Sequence, residues 1–299
     1  MRKLFLILLG VAAVGSLQAL SCAAIGVDAL YWHPCTPAFR YAIRETGTGT
    51  PNTRSKIRTV DGEYDWGFRV RAAYVVDCDT KVQVDYLYFQ PVDSESTLAN
   101  GATLRGPLNQ PGFNRLTGRD RYTFHEANLR AWRAVWSGRC ATLYGTVGVR
   151  WLDVRHRGRV NGSQPGSGLE VGDLWGVGAV VQAGLGYRLF RCLRLVGELG
   201  LAGLAGRRSL ITNATDPASN AFVNINYGEE ATCFPGLENR VFLKYSRSCG
   251  PFDVAAHIGW DQKYYLGAMK FGSLFTAAPD SSVETIGMNG LFFGFSAGY

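Results

Sequence analysis

Apolar and polar residues alternate along several long stretches of the chain. From Tyr64 to Tyr74 every even-numbered residue is apolar or aromatic, whereas the odd positions include Asp65, Arg69 and Arg71. The same period of two recurs in 173–190, 193–208, 252–267 and 286–299. Because successive side chains of a strand point to opposite faces, this pattern predicts β-strands with one apolar and one polar face.

The lengths of these strands and of their links favour a membrane barrel over a soluble sandwich. Several strands span about 11–17 residues, whereas strands of soluble proteins usually have about 5–6 and a tilted membrane strand needs about 9–11. Short turns alternate with long links near 44–62, 93–121, 157–172, 209–237 and 268–285. We predict an all-β fold, a closed antiparallel transmembrane β-barrel with an even strand number: ten, or twelve if 25–43 or 209–237 contains a hairpin. The ten predicted strands are 25–43 (with a possible break at Pro34 and Pro37), 63–76, 81–92, 122–136, 141–156, 173–190, 193–208, 238–247, 252–267 and 286–299.

The final strand carries a candidate barrel-assembly signal. Leu291, Phe293, Phe295 and Tyr299 form its apolar face, and the residues between them are mostly small. An amphipathic last strand that ends in an aromatic residue resembles the C-terminal signal of outer-membrane barrels. Such a strand closes the barrel against the first one and is recognised by the barrel-assembly machinery. The alternative is an ordinary sandwich strand at the chain end.

The amino terminus predicts export. A short basic segment, Met1–Lys3, precedes the apolar run Leu4–Val14 and then several small residues. This is typical of a secretory signal peptide over residues 1–23, with cleavage after Ala23 or, alternatively, after Ala19. Acylation of Cys22 is a weaker alternative. Residues 24–299 would form a single barrel domain in the bacterial outer membrane, because no later apolar run is long enough for a transmembrane helix.

The polar face of the predicted strands supplies a candidate pore lining. Its charged members are Arg69, Arg71, Asp85, Glu126, Arg130, Arg150, Arg188, Arg194, Glu198, Arg240, Lys244, Asp253 and Asp261. Basic groups outnumber acidic ones, so a water-filled lumen would prefer anions weakly. Inward glycines predict some open space, although ten strands enclose little more than an eight-stranded barrel, which side chains fill. The alternative is that the charges pair across a filled lumen and only stabilise the barrel.

Cysteines cluster at the short turns. Cys78, Cys140, Cys192 and Cys249 lie in or beside these turns, and Cys35 and Cys233 complete the set of candidate disulfide cysteines. The turns would face the periplasm, which is oxidising. Adjacent turns on a barrel rim are about 10 Å or more apart, beyond the reach of a disulfide, so links between molecules are one possibility and free thiols another. Because no CxxC pair exists, we expect no metal site.

Several strand motifs resemble one known family. Residues 64–74, followed by a short turn and 84–89, are similar to the Legionella-type major outer membrane protein family, pore-forming barrels also found in environmental chlamydiae. Residues 26–32, 40–43, 145–152 and 259–264 resemble further strands of that family. The resemblance spans most of the mature chain and implies a porin-like envelope protein. The family supplies no catalytic residues that could be assigned to this chain. Disulfide cross-linking is implied only by analogy with the disulfide-linked outer membranes of chlamydiae.

Two classes of function fit these features. The first is a porin-like channel for small solutes or ions with a weak anion preference. The alternative is a structural or adhesive envelope protein with long extracellular loops, cross-linked by disulfides. The expected partners are outer-membrane lipid, the barrel-assembly machinery and, through disulfides, further copies or other envelope proteins.

Other classes are disfavoured. The net charge of +7 is scattered without a Lys/Arg-rich tract, so we expect no nucleic-acid binding. We expect no enzymatic activity and no cofactor, because Gly-x-Ser-x-Gly does not occur. The four histidines, His33, His125, His156 and His257, form no catalytic pattern in the sequence.

Overall fold

The computed structural model describes residues 23–46, 54–77, 79–163, 166–216, 221–272, 274–275 and 281–299. Nearly all of these residues belong to antiparallel strands, and no helix among them is long and apolar enough to cross a membrane. The strands are β1 (Ala23–Cys35), β2 (Phe39–Thr46), β3 (Arg54–Val60), β4 (Asp65–Val75), β5 (Thr80–Phe89), β6 (Val92–Leu98), β7 (Thr103–Arg105), β8 (Arg115–Ser137), β9 (Ala141–Gly162), β10 (Ser167–Arg188), β11 (Leu193–Asp216), β12 (Ala221–Cys249), β13 (Phe252–Gly272) and β14 (Ser281–Gly298).

Ten of these strands form a closed ring. Its order is β1, β4, β5, β8, β9, β10, β11, β12, β13 and β14. The last strand returns to the first, with Phe293 opposite Ala29 and Phe295 opposite Val27. Closure gives each strand of the ring a paired neighbour on both sides, so the ring itself has no edge strand. The prediction of a ten-stranded antiparallel barrel is confirmed, and the twelve-stranded alternative is wrong.

The alternation of the sequence separates the two surfaces of the wall. Outward residues such as Phe295 and Leu199 are 70% and 65% exposed, whereas inward Leu30 and Glu126 are fully buried. The outward apolar residues form a band around the wall, bounded on β9 and β10 by Trp151 and Trp175. Such a band is the surface that a barrel presents to lipid.

The barrel has a turn end and a loop end. The first described residue, Ala23, and Tyr299 lie at the turn end, where the Tyr299 amide donates to the Ala23 carbonyl at 3.0 Å. Cys140, Cys192 and Cys249 lie there too, in or beside the turns. None of the five described cysteines forms a disulfide, and Cys78 and most of the predicted signal peptide lie outside the described residues.

Four of the predicted long loops are corrected. Residues 157–172 and much of 209–237 continue the strands of the wall, so that β8–β13 have 21–29 residues. Polar residues such as Arg157 occupy outward positions there, which removes the hydropathy period while the ladder hydrogen bonds continue. The predicted loops 44–62 and 93–121 contain β3, β6 and β7.

The predicted position of Cys233, in the long link 209–237, is also corrected. Cys233 lies on the outer wall of β12, opposite Ala205, rather than in a loop on the far rim. Cys35 ends β1, where the Asn289 side-chain amide lies 2.8 Å from its sulfur.

A second small sheet occupies part of the loop end, beside a cavity of about 440 Å³ lined by Phe39, Thr59 and Glu170. The predicted strand 25–43 divides between β1 and β2 at residues 36–38, where Pro37 lies, whereas Pro34 still pairs with Met288 of β14 within β1. β2 then pairs with β3 and β7 instead of with the wall. We call β2, β3, β7 and the short 3-10 helix Pro107–Asn109 the plug.

Glycines on the inner wall seat the plug. The ring of Phe39 lies against Gly158 and that of Tyr41 against Gly118, where a Cβ atom would come within 2.3 and 2.5 Å of ring carbons. Both plug rings are nearly or fully buried. The inward glycines therefore accommodate aromatic side chains here rather than leaving open space.

Candidate functional site

The middle of the lumen is occupied by a layer of ion-paired side chains. Eight of the thirteen charged residues predicted to line the pore lie at this level, and five of them are buried: Arg69, Asp85, Glu126, Arg150 and Asp261. We call this set the charged layer: Asp28, Arg69, Arg71, Asp85, Glu126, Arg130, Arg150, Glu238, Arg240, Asp261 and Lys263.

Asp28 is the centre of one half of the charged layer. Its carboxylate accepts hydrogen bonds from Arg71 at 2.6 Å and from Arg240 at 3.2 Å, and it lies 2.8 Å from His257 Nε2. Arg69 lies 3.5 Å from the same carboxylate. A carboxylate with no exposed surface requires such partners, because burial of an unpaired charge is costly.

Glu126 is the centre of the other half. Lys263 Nζ donates to it at 2.5 Å and the Tyr265 hydroxyl at 2.6 Å. Arg150 lies 3.5 Å from Glu126 and donates to Glu238 at 2.7 Å. The Arg150 side chain is only 1% exposed, so it does not face an open channel.

Two further arginines each contact more than one carboxylate of the lumen. Arg130 forms an ion pair with Asp85 and lies 3.9 Å from Glu238, while Arg240 reaches both Asp28 and, at 3.8 Å, Glu198. The cavity left inside the layer has a volume of about 10 Å³, which is about the space that one water molecule needs. The charged layer is therefore closed to solutes in this structure.

An apolar layer lies between the charged layer and the plug. The buried rings of Trp32, Phe89 and Phe124 pack in sequence, with centroids 5.8 and 6.1 Å apart, and Phe234 contacts Tyr265 from the other side. These side chains belong to one continuous core of buried residues.

A basic vestibule lies on the other side of the charged layer, toward the turn end. This cavity of about 210 Å³ is lined by six cationic side chains and a single carboxylate: Arg71, Lys81, Arg130, Arg194, Arg240, Lys244 and Glu198. Among the described residues, Lys81, Arg194 and Lys244 form no ion pair. A further cavity of about 530 Å³ shares Arg194 and Lys244 with the vestibule and reaches the rim at Asp253. Arg188 is exposed at the same end.

A buried histidine lies where the plug meets the wall, beyond the apolar band. His156 Nε2 lies 2.7 Å from Asp120 Oδ1, and its Nδ1 lies 3.6 Å from Glu170. Phe39 of the plug packs edge-on against the imidazole. Burial lowers the pKa of His156, but Asp120 and Glu170 outweigh it and raise the pKa overall. Burial raises the pKa of Glu170 to about 6, partly opposed by His156.

Sequence reasoning missed several members of the charged layer. Asp28, Glu238 and Lys263 were not among the predicted lining residues, although each occupies an inward position of its strand. Continuing the alternation through β1, β12 and β13 would have found them. His257 was noted, but its contact with Asp28 joins residues 229 positions apart and leaves no local signal.

Comparison with known families agrees with this architecture. A family model described as the Legionella pneumophila major outer membrane protein precursor matches residues 21–298, nearly the whole chain. The chain belongs to this family of outer membrane proteins. The resemblance to the Legionella major outer membrane protein family that the strand motifs predicted is thus confirmed. Membership of this family supports an outer-membrane location. No curated protein sequence matches the chain.

Several solved outer-membrane proteins are distantly similar in structure. The protease OmpT from Escherichia coli has 10% identity and a TM-score of 0.44 over 93% of this chain and 96% of its own. OprG from Pseudomonas aeruginosa has 10% identity and a TM-score of 0.33 over 94% and 99%. The toluene transporter TodX from Pseudomonas putida has 9% identity and a TM-score of 0.33 over 92% and 89%. At such low similarity these likenesses carry no functional argument.

Proposed function

We propose that this family member is a porin-like outer-membrane channel for small anionic solutes, closed in the described state by the charged layer, the apolar layer and the plug. The observation that carries the proposal is the vestibule, in which Lys81, Arg194 and Lys244 have no ion-pair partner among the described residues. They lie beside three ion-paired arginines and a single carboxylate. Like charges collected in a low-dielectric recess raise the local potential and concentrate anions.

The chemistry of the charged layer supports a gate at that level. Charged groups lose hydration when they pair in a closed interior, and water that enters would restore it. Water can therefore enter the charged layer when its ion pairs rearrange, whereas an apolar core of the same size would resist the entry of water. Opening also requires a path past the plug, which is seated on inward glycines and leaves a cavity of about 440 Å³ beside the wall.

Planar-bilayer recording of the refolded barrel tests the proposal. We expect infrequent openings with a reversal potential that favours chloride over potassium, more strongly at low salt because screening falls. The triple variant Lys81→Gln, Arg194→Gln, Lys244→Gln should shift the reversal potential toward cations. A matched triple on the outer surface, Arg119→Gln, Arg121→Gln, Arg159→Gln, should leave it unchanged. Equal shifts in the two triples would contradict an anion-selecting vestibule.

A structural envelope role is the second candidate, because the lumen is filled over most of its length. A protein with this role would conduct no current at any voltage, either as the wild type or as variants that neutralise the charged layer. Folded barrels that behave in this way would favour the structural candidate.

A further inference from the structure

Four exposed arginines form a compact group on the outer wall near the loop end. Arg119 and Arg121 lie on β8, directly opposite Arg159 and Arg157 on β9. All four point outward and are exposed. We call these residues the arginine array.

The positive charges of the array are not neutralised by neighbouring acidic side chains. Like charges directly opposite each other on paired strands destabilise a sheet. The neighbouring outward residues are Ser94 on β6 and Leu169 and Val171 on β10, none of them acidic. Among the described residues, none of the four arginines has an ion-pair or hydrogen-bond partner. Nearby Arg155, in contrast, lies 3.5 Å from Asp153 and 3.9 Å from Asp173.

The array lies just beyond the apolar band. Trp151 is the last outward apolar residue on β9 before the polar run that contains Arg157. Six residues of a strand tilted by about 40° correspond to a height of roughly 15 Å. The loop end of single-chain outer-membrane barrels faces the cell exterior. The array would therefore stand at the level of the outer-leaflet headgroups, which carry the phosphates and acidic sugars of lipopolysaccharide.

We propose that the arginine array binds the anionic headgroup of lipopolysaccharide. Guanidinium groups bind phosphate and carboxylate oxygens in a bidentate manner, and basic clusters at a membrane surface attract anionic lipid headgroups. The bound anions would offset the repulsion between the opposed arginines. The proposal is independent of whether the lumen conducts.

Binding of purified lipopolysaccharide to the detergent-solubilised protein tests this site. The test variant is Arg119→Gln, Arg121→Gln, Arg157→Gln, Arg159→Gln. The control removes four exposed arginines from the turn end: Arg133→Gln, Arg139→Gln, Arg191→Gln, Arg247→Gln. The two variants have equal net charge. We expect affinity to fall by about tenfold or more in the test variant and to change little in the control. Wild-type affinity should fall as salt is added and when dephosphorylated lipopolysaccharide is the probe.

Three outcomes would overturn the proposal. Equal losses in the two variants would mean non-specific attraction. Unchanged binding in the test variant would mean that the glycolipid binds elsewhere. Self-association of the wild type without lipopolysaccharide, abolished in the test variant, would assign the array to an interface between copies. If the fourfold variant does not refold, Arg121→Gln with Arg157→Gln repeats the test against Arg139→Gln with Arg191→Gln.

Discussion

Arg69 on β4 donates a 2.5 Å hydrogen bond to Asp261 on β13, although β1 and β14 separate these strands in the ring. The two residues are 192 positions apart. The bond therefore links four neighbouring strands across the closure of the barrel. It also shows that inward charged side chains of this protein form ion pairs with one another across the lumen.

Asp28→Asn should strongly destabilise the barrel. The substitution removes the negative charge that Arg71 and Arg240 contact, and breaking a buried pair by deleting one partner costs about 3–5 kcal/mol. Urea unfolding of the refolded protein measures the loss. The control Asp173→Asn, whose carboxylate is exposed and 3.9 Å from Arg155, should change stability by less than about 1 kcal/mol. Similar losses in the two variants would contradict a central role for Asp28.

Val181→Arg tests the contact between the outer wall and lipid. Val181 lies on the outward face of β10 and is 49% exposed, so an arginine there should cost about 2–4 kcal/mol in a bilayer. The inward control Ser246→Arg faces the cavity of about 530 Å³ at the turn end and should be tolerated. Refolding into vesicles, followed by the fraction folded against urea, measures the two. A tolerated Val181→Arg would mean that this face does not meet lipid.

Neutralising the charged layer should increase conductance. Glu126→Gln together with Arg150→Gln removes a buried pair 3.5 Å apart. The glutamine is isosteric at position 126 and shorter than arginine at position 150, so the layer should open more often. Single-channel recording measures the open fraction. The control is Arg207→Gln with Glu229→Gln, an exposed pair on the outer wall. A folded layer variant with the open fraction of wild type would place the gate elsewhere.

The plug should loosen as the pH rises. The pKa values of Glu170 and His156 are both higher in the folded protein than their ordinary values of 4.5 and 6.5. A raised pKa contributes stability that is complete at low pH and is lost as pH rises through the folded value. The Glu170 contribution is thus lost between about pH 4.5 and 6, and that of His156 above about pH 6.5. Hydrogen exchange of β2 amides, compared at equal intrinsic rates, should accelerate with pH over this window.

The variant Glu170→Gln separates the two groups. It should remove the part of the dependence below about pH 6 and reduce, without abolishing, the part above it, because Glu170 also helps to raise the pKa of His156 while Asp120 remains. Plug amides whose protection does not vary with pH in the wild type would show that neither group controls the plug.

The turn cysteines should be labelled from one side only. With the turn end in the periplasm, an impermeant thiol reagent should spare Cys140, Cys192 and Cys249 in intact, reduced cells and label them after the outer membrane is opened. Cys233 should resist in both cases, since it lies on the lipid-facing wall. Asn161→Cys, exposed near the loop end, is the positive control. Labelling of the turn cysteines in intact cells would reverse the orientation.

The sequence by itself determined the wall of this protein. Alternation along residues 64–74 predicted which side chains of β4 face outward, because strand geometry alone assigns successive side chains to opposite faces. The even-stranded barrel, with ten or twelve strands, was predicted from the strand and link lengths, and the closure of β14 on β1 from the resemblance of the last strand to a barrel-assembly signal. The alternation rule failed where outward positions are polar, as at Arg157, because the period of two vanishes when both faces are hydrophilic even though the ladder continues.

Only the tertiary structure decided what fills the barrel. The alternation in the sequence indicates that Arg69, Arg150 and Asp261 point inward. Their ion-pair partners depend on which strands face each other across the lumen, and the local sequence does not encode the distances between those strands. The seats of Phe39 and Tyr41 on inward glycines likewise depend on a plug that leaves the wall after β1. A glycine on the inner face has the same sequence signature whether it opens space or receives a ring, and packing alone distinguishes the two.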